Sequence, residues 1–102
     1  MKDNLPPHAS VVVIGGGIMG CSTLYHLAKM GISDTILLER NKLTSGTTWH
    51  SAAQVRALRH SQNLTRMIQY SVDLYSKLEK ETGQDVGWIQ KGSLSIATNL
   101  DR

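Results

Sequence analysis

A run of β-branched residues that ends in three glycines constrains the fold most. The segment "SVVVIGGG", residues 10–17, is typical of a strand buried on both faces of a parallel sheet. The next segment, "IMGCSTLYHLAKMG", has apolar residues at helical spacing and stops at Gly31, which suits a helix C-cap. A second short apolar strand, "DTILLER", follows. Strand, glycine turn, helix and strand within about 30 residues predict a Rossmann-like βαβ unit with a right-handed crossover, hence an α/β fold.

The glycines have the spacing G-x-G-x-x-G, with Gly15, Gly17 and Gly20 at the fixed positions. The first glycine permits the tight turn, the second lets backbone approach a pyrophosphate, and the third allows helix and strand to pack closely. The helix that starts at Ile18 and Met19 offers free N–H groups and a positive dipole end to phosphates. This pattern predicts a dinucleotide site, although glycines that serve only a tight turn remain the structural alternative.

Glu39 supports the dinucleotide interpretation because it ends the second predicted strand, 19 residues after Gly20. A carboxylate at this place accepts hydrogen bonds from an adenosine ribose and repels a 2′-phosphate, which disfavours NADP. Arg40, directly after it, is the one feature that favours NADP. The alternative is a Glu39 side chain that is simply solvated at the end of a strand.

The second half of the chain predicts one helix and one strand. Apolar residues recur at intervals of three and four between residues 64 and 78, with Asn63 as the predicted N-cap and Gly83 as the stop. "GSLSIAT", Gly92–Thr98, alternates as a strand does. Two parallel strands and two helices leave sheet edges uncovered. We therefore interpret residues 1–102 as one segment, the incomplete N-terminal part of a larger protein, and expect it not to fold stably alone.

Composition narrows the class of protein only modestly. The net charge is +3, there is no apolar run of membrane-spanning length, and the N-terminus has neither a signal-peptide nor a transit-peptide pattern. We expect a cytoplasmic protein, or a mitochondrial matrix protein if a transit peptide is missing. A lone Cys21 suits a reducing compartment and lacks partners for a metal site. The basic cluster has no interleaved aromatics, so we expect no nucleic-acid partner; its members are Arg56, Arg59, His60 and Arg66.

The segment "LTSGTTWHSAAQ", Leu43–Gln54, is unusual because twelve residues carry no acidic or basic side chain other than one histidine. His50 follows Trp49 directly. From spacing alone, a loop histidine that makes a structural hydrogen bond is the favoured interpretation.

Three segments together carry a family resemblance: "VVVIGGGIMGCSTLYHLAKMG", "ILLERNKLTSGTTWHSAA" and "ETGQDVGWIQKGSLSIAT". The chain resembles the N-terminal part of the sarcosine and dimethylglycine dehydrogenase family, within the D-amino-acid-oxidase-like FAD-dependent oxidoreductases. The resemblance covers nearly everything from Ser10 to Arg102. The T-W-H element, "LTSGTTWH" at residues 43–50, is far more specific than the glycine fingerprint.

The resemblance implies that FAD is bound covalently, through the 8α-methyl carbon, to the histidine of the T-W-H element, here His50. A neutral imidazole nitrogen is a suitable nucleophile, and histidine is readily neutral near pH 7. The resemblance also implies an uncharged loop that is buried against FAD, with a tryptophan that walls off the flavin ring. The cofactor-binding residues it implies in this loop are Gly46, Thr47, Thr48, Trp49, His50 and Ser51.

The activity that the resemblance implies is oxidative demethylation of an N-methyl amine such as sarcosine or dimethylglycine. Hydride passes from the N-methyl carbon to flavin N5, and the iminium is hydrolysed or its one-carbon unit is captured by tetrahydrofolate. An electron-transfer flavoprotein is a further implied partner, through the rest of the chain. Catalytic residues would come from later chain, so none is assigned here. Two alternatives stay open: a non-enzymatic regulatory relative, like the regulatory subunit of pyruvate dehydrogenase phosphatase, and an NAD-dependent dehydrogenase.

Overall fold

The computed structural model describes residues 5–100, and the chain divides into two compact units, Met1–Ala52 and Ala53–Arg102. The first unit contains the glycine fingerprint and the T-W-H element. The second contains the long amphipathic helix and the segment that follows it.

The first unit is a parallel βαβ arrangement. Strand β1 (Val11–Ile14) leads through the glycine turn into helix α1 (Ile18–Lys29), and strand β2 (Thr35–Leu38) follows. The strands pair in parallel, in a register that runs from Val11 opposite Thr35 to Ile14 opposite Leu38. The predicted α/β fold class is therefore confirmed. A parallel pair places the carboxyl ends of both strands at one edge, where ligands bind in open α/β sheets.

Two local features fix the ends of these elements. Helix α1 ends with Met30 at its C-cap, and Gly31 just beyond it has a φ of +86°, so the predicted stop at this glycine is confirmed. At the start of β1, Ser10 donates from its backbone N–H (3.0 Å) and its hydroxyl (2.8 Å) to one carboxylate oxygen of Asp34. These bonds tie the beginnings of the two strands together, at the edge opposite the glycine turn.

The second unit is built on helix α2 (Gln62–Thr82). Its N-cap is Ser61 rather than the predicted Asn63, because Ser61 has extended dihedral angles and its carbonyl accepts the N–H of Thr65 at 3.0 Å. The predicted stop at Gly83 is confirmed, since this residue has a left-handed φ of 72° and donates to the carbonyl of Glu79. The ring of Trp88 stacks on Tyr75 of α2, with centroids 5.4 Å apart.

The strand predicted at Gly92–Thr98 is not formed, and residues 83–100 hold neither helix nor strand. The alternation of apolar and polar residues there indicates which side chains prefer a buried face. A strand also requires a neighbouring backbone as hydrogen-bonding partner. Within the described part of the second unit no other strand supplies one, so the prediction was wrong for this chain by itself.

No hydrophobic side chain among residues 5–100 is buried, and the exposed fractions of Ile14 and Leu94 are 85% and 88%. Neither of the helices found between residues 5 and 100 has the length and apolar character needed to cross a membrane.

We predict that the isolated 102-residue polypeptide unfolds without a cooperative transition, because burial of apolar surface is the main force that opposes chain entropy. Circular dichroism during heating measures this directly. A sigmoidal transition, together with an excess heat-capacity peak in calorimetry, would contradict the prediction.

Candidate cofactor-binding site

The glycine turn between β1 and α1 is held in place by hydrogen bonds to Gly16, which stands at a variable position of the G-x-G-x-x-G pattern. Gly16 is the only buried residue in the range that the structure describes. Its N–H donates to Oε2 of Glu39 at 2.7 Å, and its carbonyl accepts the N–H of Thr44 at 2.8 Å. A Cβ at this position would lie 2.6 Å from Cδ2 of Leu43 and 3.0 Å from Cβ of Glu39. The sequence signal was the middle glycine of "GGG", at a position that the G-x-G-x-x-G pattern treats as variable.

The three fingerprint glycines have distinct roles in the structure. Gly15 has a φ of +103°, which L side chains rarely adopt, and its N–H continues the sheet by donating to the carbonyl of Leu38 at 2.8 Å. A Cβ on Gly20 would collide with the carbonyl oxygen of Gly15. A Cβ on Gly17 would lie 3.0 Å from the hydroxyl of Thr48. Each of the three positions therefore requires glycine for a different reason: backbone conformation at Gly15, contact with the Thr48 side chain at Gly17, and contact with backbone at Gly20.

The first turn of α1 offers backbone donors on which a phosphate could bind. Gly17 is the N-cap and provides no side chain to satisfy them, and no acidic residue lies in the first turn. The N–H of Ile18 is already bonded to the hydroxyl oxygen of Thr48 at 2.9 Å. Within residues 5–100, no backbone acceptor outside the helix pairs with the N–H of Met19 or Gly20. These two donors, at the positive end of the helix dipole, fit a pyrophosphate.

Glu39 lies one residue after β2 and accepts two backbone hydrogen bonds. Oε2 receives the N–H of Gly16, and Oε1 receives the N–H of Asn41 at 2.8 Å. The Gly16 bond, followed by the Asn41 bond and the nearby charge of Arg40, lowers the pKa of Glu39 below its ordinary value. The ionised carboxylate keeps further lone pairs for ribose hydroxyls. Arg40 itself is exposed.

The T-W-H element forms a 3₁₀ helix, Thr47–His50, after a turn in which Thr44 has a φ of 62°. The carbonyl of Gly46 accepts two hydrogen bonds, one from the N–H of Trp49 at 3.1 Å and one from Nδ1 of His50 at 2.9 Å. A carbonyl oxygen only accepts, so the proton of a neutral His50 ring sits on Nδ1 and the lone pair on Nε2. The indole of Trp49 is 78% exposed. Ser51, the C-cap, donates its N–H to the carbonyl of Thr48 at 3.3 Å.

The structure brings most of the predicted residues to one edge of the first unit. The glycine turn, the start of α1 and Glu39 are in direct contact, and Thr44 and Thr48 bond the loop to them. Thr47, Trp49, His50 and Ser51 are linked to this turn through the 3₁₀ helix and its C-cap. The basic cluster around Arg59 belongs to the second unit.

These features together define a dinucleotide-binding βαβ unit: parallel strands, a turn without Cβ atoms, free amides at a helix N-terminus, and a carboxylate after the second strand. The class of dinucleotide follows from comparison with known proteins. The FAD dependent oxidoreductase family, also called DAO, matches residues 10–102. The chain belongs to this family of FAD-dependent oxidoreductases.

Individual relatives are similar over nearly the whole chain. Human mitochondrial sarcosine dehydrogenase is 54% identical over 96% of this chain and 11% of its own length. The 4-methylaminobutanoate oxidase (formaldehyde-forming) of Paenarthrobacter nicotinovorans is 47% identical over 98% of this chain and 12% of its own. The mitochondrial regulatory subunit of pyruvate dehydrogenase phosphatase from Mus musculus is 47% identical over 96% of this chain and 11% of its own. The chain thus spans about a ninth of the length of these relatives.

Proposed function

We propose that this chain is the FAD-binding segment of a flavin-dependent dehydrogenase or oxidase that demethylates an N-methyl amine. The observation that carries the proposal is the T-W-H element, whose histidine-bearing 3₁₀ helix is hydrogen-bonded to the dinucleotide turn through Thr48 and Thr44. Relatives named for sarcosine and 4-methylaminobutanoate support an N-methyl amine as substrate. Substrate-binding and catalytic groups lie outside these 102 residues in this proposal.

The residues of the first unit would contact the pyrophosphate, the adenosine ribose and the isoalloxazine ring of FAD. The amides of Met19 and Gly20 would bind the pyrophosphate, and the ionised carboxylate of Glu39 would bind the adenosine ribose. The 3₁₀ helix would lie beside the isoalloxazine, with Trp49 covering apolar ring surface. When bound, FAD supplies the hydride acceptor, and the protein supplies orientation and electrostatics. Tetrahydrofolate and an electron-transfer flavoprotein are the proposed partners of the remaining polypeptide.

We further propose that His50 is the covalent attachment residue, through Nε2. The Gly46 carbonyl holds the ring proton on Nδ1, so Nε2 carries the lone pair. Nε2 would form the new bond to the 8α carbon of FAD, which would supply the electrophilic carbon and lose one hydrogen as a proton. Dioxygen would take up the two electrons released and become hydrogen peroxide. The imidazole of His50 would lose its Nδ1 proton to solvent and so stay neutral.

A full-length protein that carries these residues is expected to oxidise N-methyl amines. The assay incubates it with sarcosine, dimethylglycine or 4-methylaminobutanoate and follows formaldehyde together with reduction of an artificial electron acceptor. Glycine, which has no N-methyl group, is the matched control and should give no formaldehyde. Turnover of at least one N-methyl amine but not of glycine is the expected result.

The same assay, together with analysis of the cofactor that acid releases, separates the alternative functions. Protein that carries FAD but oxidises none of the amines would favour a non-enzymatic regulatory role, which the similarity to the phosphatase regulatory subunit supports. Release of a nicotinamide cofactor by acid, with no flavin in the precipitate or the supernatant, would favour an NAD-dependent dehydrogenase. Either result would contradict the proposed amine oxidation.

A further inference from the structure

Thr48 connects two parts of the site that are far apart in sequence. Its hydroxyl oxygen accepts the N–H of Ile18, the first residue of α1, at 2.9 Å across thirty positions. The N-cap residue Gly17 has no side chain that could cap α1, and the acceptor for the first helical amide comes from the T-W-H element. The close approach is tight, because the same oxygen lies 3.0 Å from where a Cβ of Gly17 would be.

The same residue belongs to the short helix that carries His50. Thr48 and His50 lie within the four-residue 3₁₀ helix Thr47–His50, and the Thr48 carbonyl accepts the N–H of Ser51 at the C-cap. The Gly46 carbonyl, four residues before His50, accepts a hydrogen bond from Nδ1 of the imidazole at 2.9 Å. A continuous path of hydrogen bonds and backbone therefore runs from the first amide of α1 through the Thr48 hydroxyl and the 3₁₀ helix to the imidazole ring.

A second bond supports this connection further back in the loop. The N–H of Thr44 donates to the Gly16 carbonyl at 2.8 Å, while Thr44 has the uncommon φ of 62°. Non-glycine residues in this conformation cost about 1–3 kcal/mol and persist where surrounding contacts enforce them. The loop is thus fastened to the glycine turn at two points, and only the Thr48 bond involves a side chain that substitution can remove.

We propose that Thr48 is a positioning residue for flavin attachment: its hydroxyl fixes the 3₁₀ helix against the start of α1 and so places His50 Nε2 at the 8α carbon of FAD held by the glycine turn. This inference rests on the proposed function. Misplacement of a reacting group by about 1 Å can cost about a hundredfold in rate. Loss of the Thr48 bond therefore slows attachment more than it weakens FAD binding, since the pyrophosphate donors of Met19 and Gly20 stay in place.

The test uses full-length apoprotein, produced under riboflavin limitation and mixed with FAD. Total flavin per polypeptide is measured by absorbance before denaturation, and covalent flavin is measured over time as fluorescence of the protein band after denaturing electrophoresis. For Thr48→Val, which keeps the side-chain shape and removes the acceptor, we expect attachment about ten- to a hundredfold slower, with total FAD at saturation unchanged. Thr48→Ser, which keeps the hydroxyl, should restore the rate.

Thr23→Val is the matched control because it removes a threonine hydroxyl from α1, the helix whose first amide Thr48 binds. The Thr23 hydroxyl donates to the carbonyl of Met19 at 2.8 Å and is exposed, so the wild-type attachment rate is expected. If Thr48→Val does not fold by circular dichroism, Thr48→Ala gives the same comparison without the added methyl group.

Four outcomes would overturn the inference. Attachment by Thr48→Val at the wild-type rate would contradict it, as would a Thr48→Ser variant as slow as Thr48→Val. Equal loss of total and covalent flavin would show a purely structural role. Wild-type protein without any fluorescent band would overturn the proposed attachment at His50 as well. A normal wild-type band, together with a wild-type attachment rate in Thr48→Val, would overturn the role of Thr48 alone.

Discussion

Full-length protein with the substitution His50→Ala is expected to show no flavin fluorescence in its band after denaturing electrophoresis, while the wild-type band fluoresces. The reason is that Nε2 of His50 is the attacking nitrogen in the proposed attachment, and alanine offers no nucleophile in its place. FAD should still bind noncovalently, because the contacts with the glycine turn and Glu39 do not involve the imidazole. Flavin released by acid should therefore appear in the supernatant of the variant and be absent from that of the wild type.

The matched control for this experiment is His26→Ala, which removes the other histidine of the first unit that lies in a helix. His26 Nδ1 contacts the carbonyl of Ser22 within α1 at 2.6 Å. This variant should keep a fluorescent band of wild-type intensity. Persistence of the band in His50→Ala would contradict attachment at His50 and direct the search to another nucleophilic side chain.

Gly20→Ala is expected to weaken FAD binding strongly. The new Cβ would collide with the carbonyl oxygen of Gly15, which is backbone and cannot rotate away as a side chain could. Helix α1 would have to move off β1 and carry the amides of Met19 and Gly20 away from the phosphate. Overpacking of this kind costs about 1–3 kcal/mol, and 2 kcal/mol corresponds to about a thirtyfold loss of affinity. Fluorescence titration of the full-length apoprotein with FAD measures it.

Gly31→Ala is the control that separates this collision from a general effect of losing glycine. Gly31 follows the other end of α1, has a φ of +86°, and has no atom within 4 Å of the position of an added Cβ. Its replacement should lower thermal stability by about 1 kcal/mol through backbone strain, with FAD affinity unchanged. Equal affinities for Gly20→Ala and wild type would show that α1 is not held against β1 in the way described.

Local signals in the sequence were sufficient for the elements of the first unit. The β-branched run, the glycine spacing and the stop at Gly31 each act within a few residues, so β1, α1 and β2 could be predicted without knowledge of tertiary contacts. The boundary of α2 was less certain, because both Ser61 and Asn63 are good N-caps and the choice depends on backbone angles at the junction.

The contacts that organise the site could not be predicted in the same way. The bonds from Gly16 to Glu39 and from Ile18 to Thr48 span 23 and 30 residues, and no pattern in either segment indicates its partner. The strand at Gly92–Thr98 was predicted wrongly for a related reason: alternation describes side-chain preference, whereas a strand requires a neighbour. The proposed role of His50 rests on the family resemblance, since its spacing alone favoured a structural hydrogen bond.

The bond between Glu39 and the buried Gly16 has a consequence for attempts to redesign cofactor preference. In dinucleotide-binding proteins the acidic residue after the second strand is the usual position to change when a 2′-phosphate is to be accepted. Here the same carboxylate also holds the backbone of the glycine turn, where the pyrophosphate of FAD is proposed to bind. A substitution at Glu39 would therefore alter two things together: recognition of the adenosine and the shape of the glycine turn. Engineering at this site has to replace the lost acceptor for Gly16 before selectivity between cofactors can be judged.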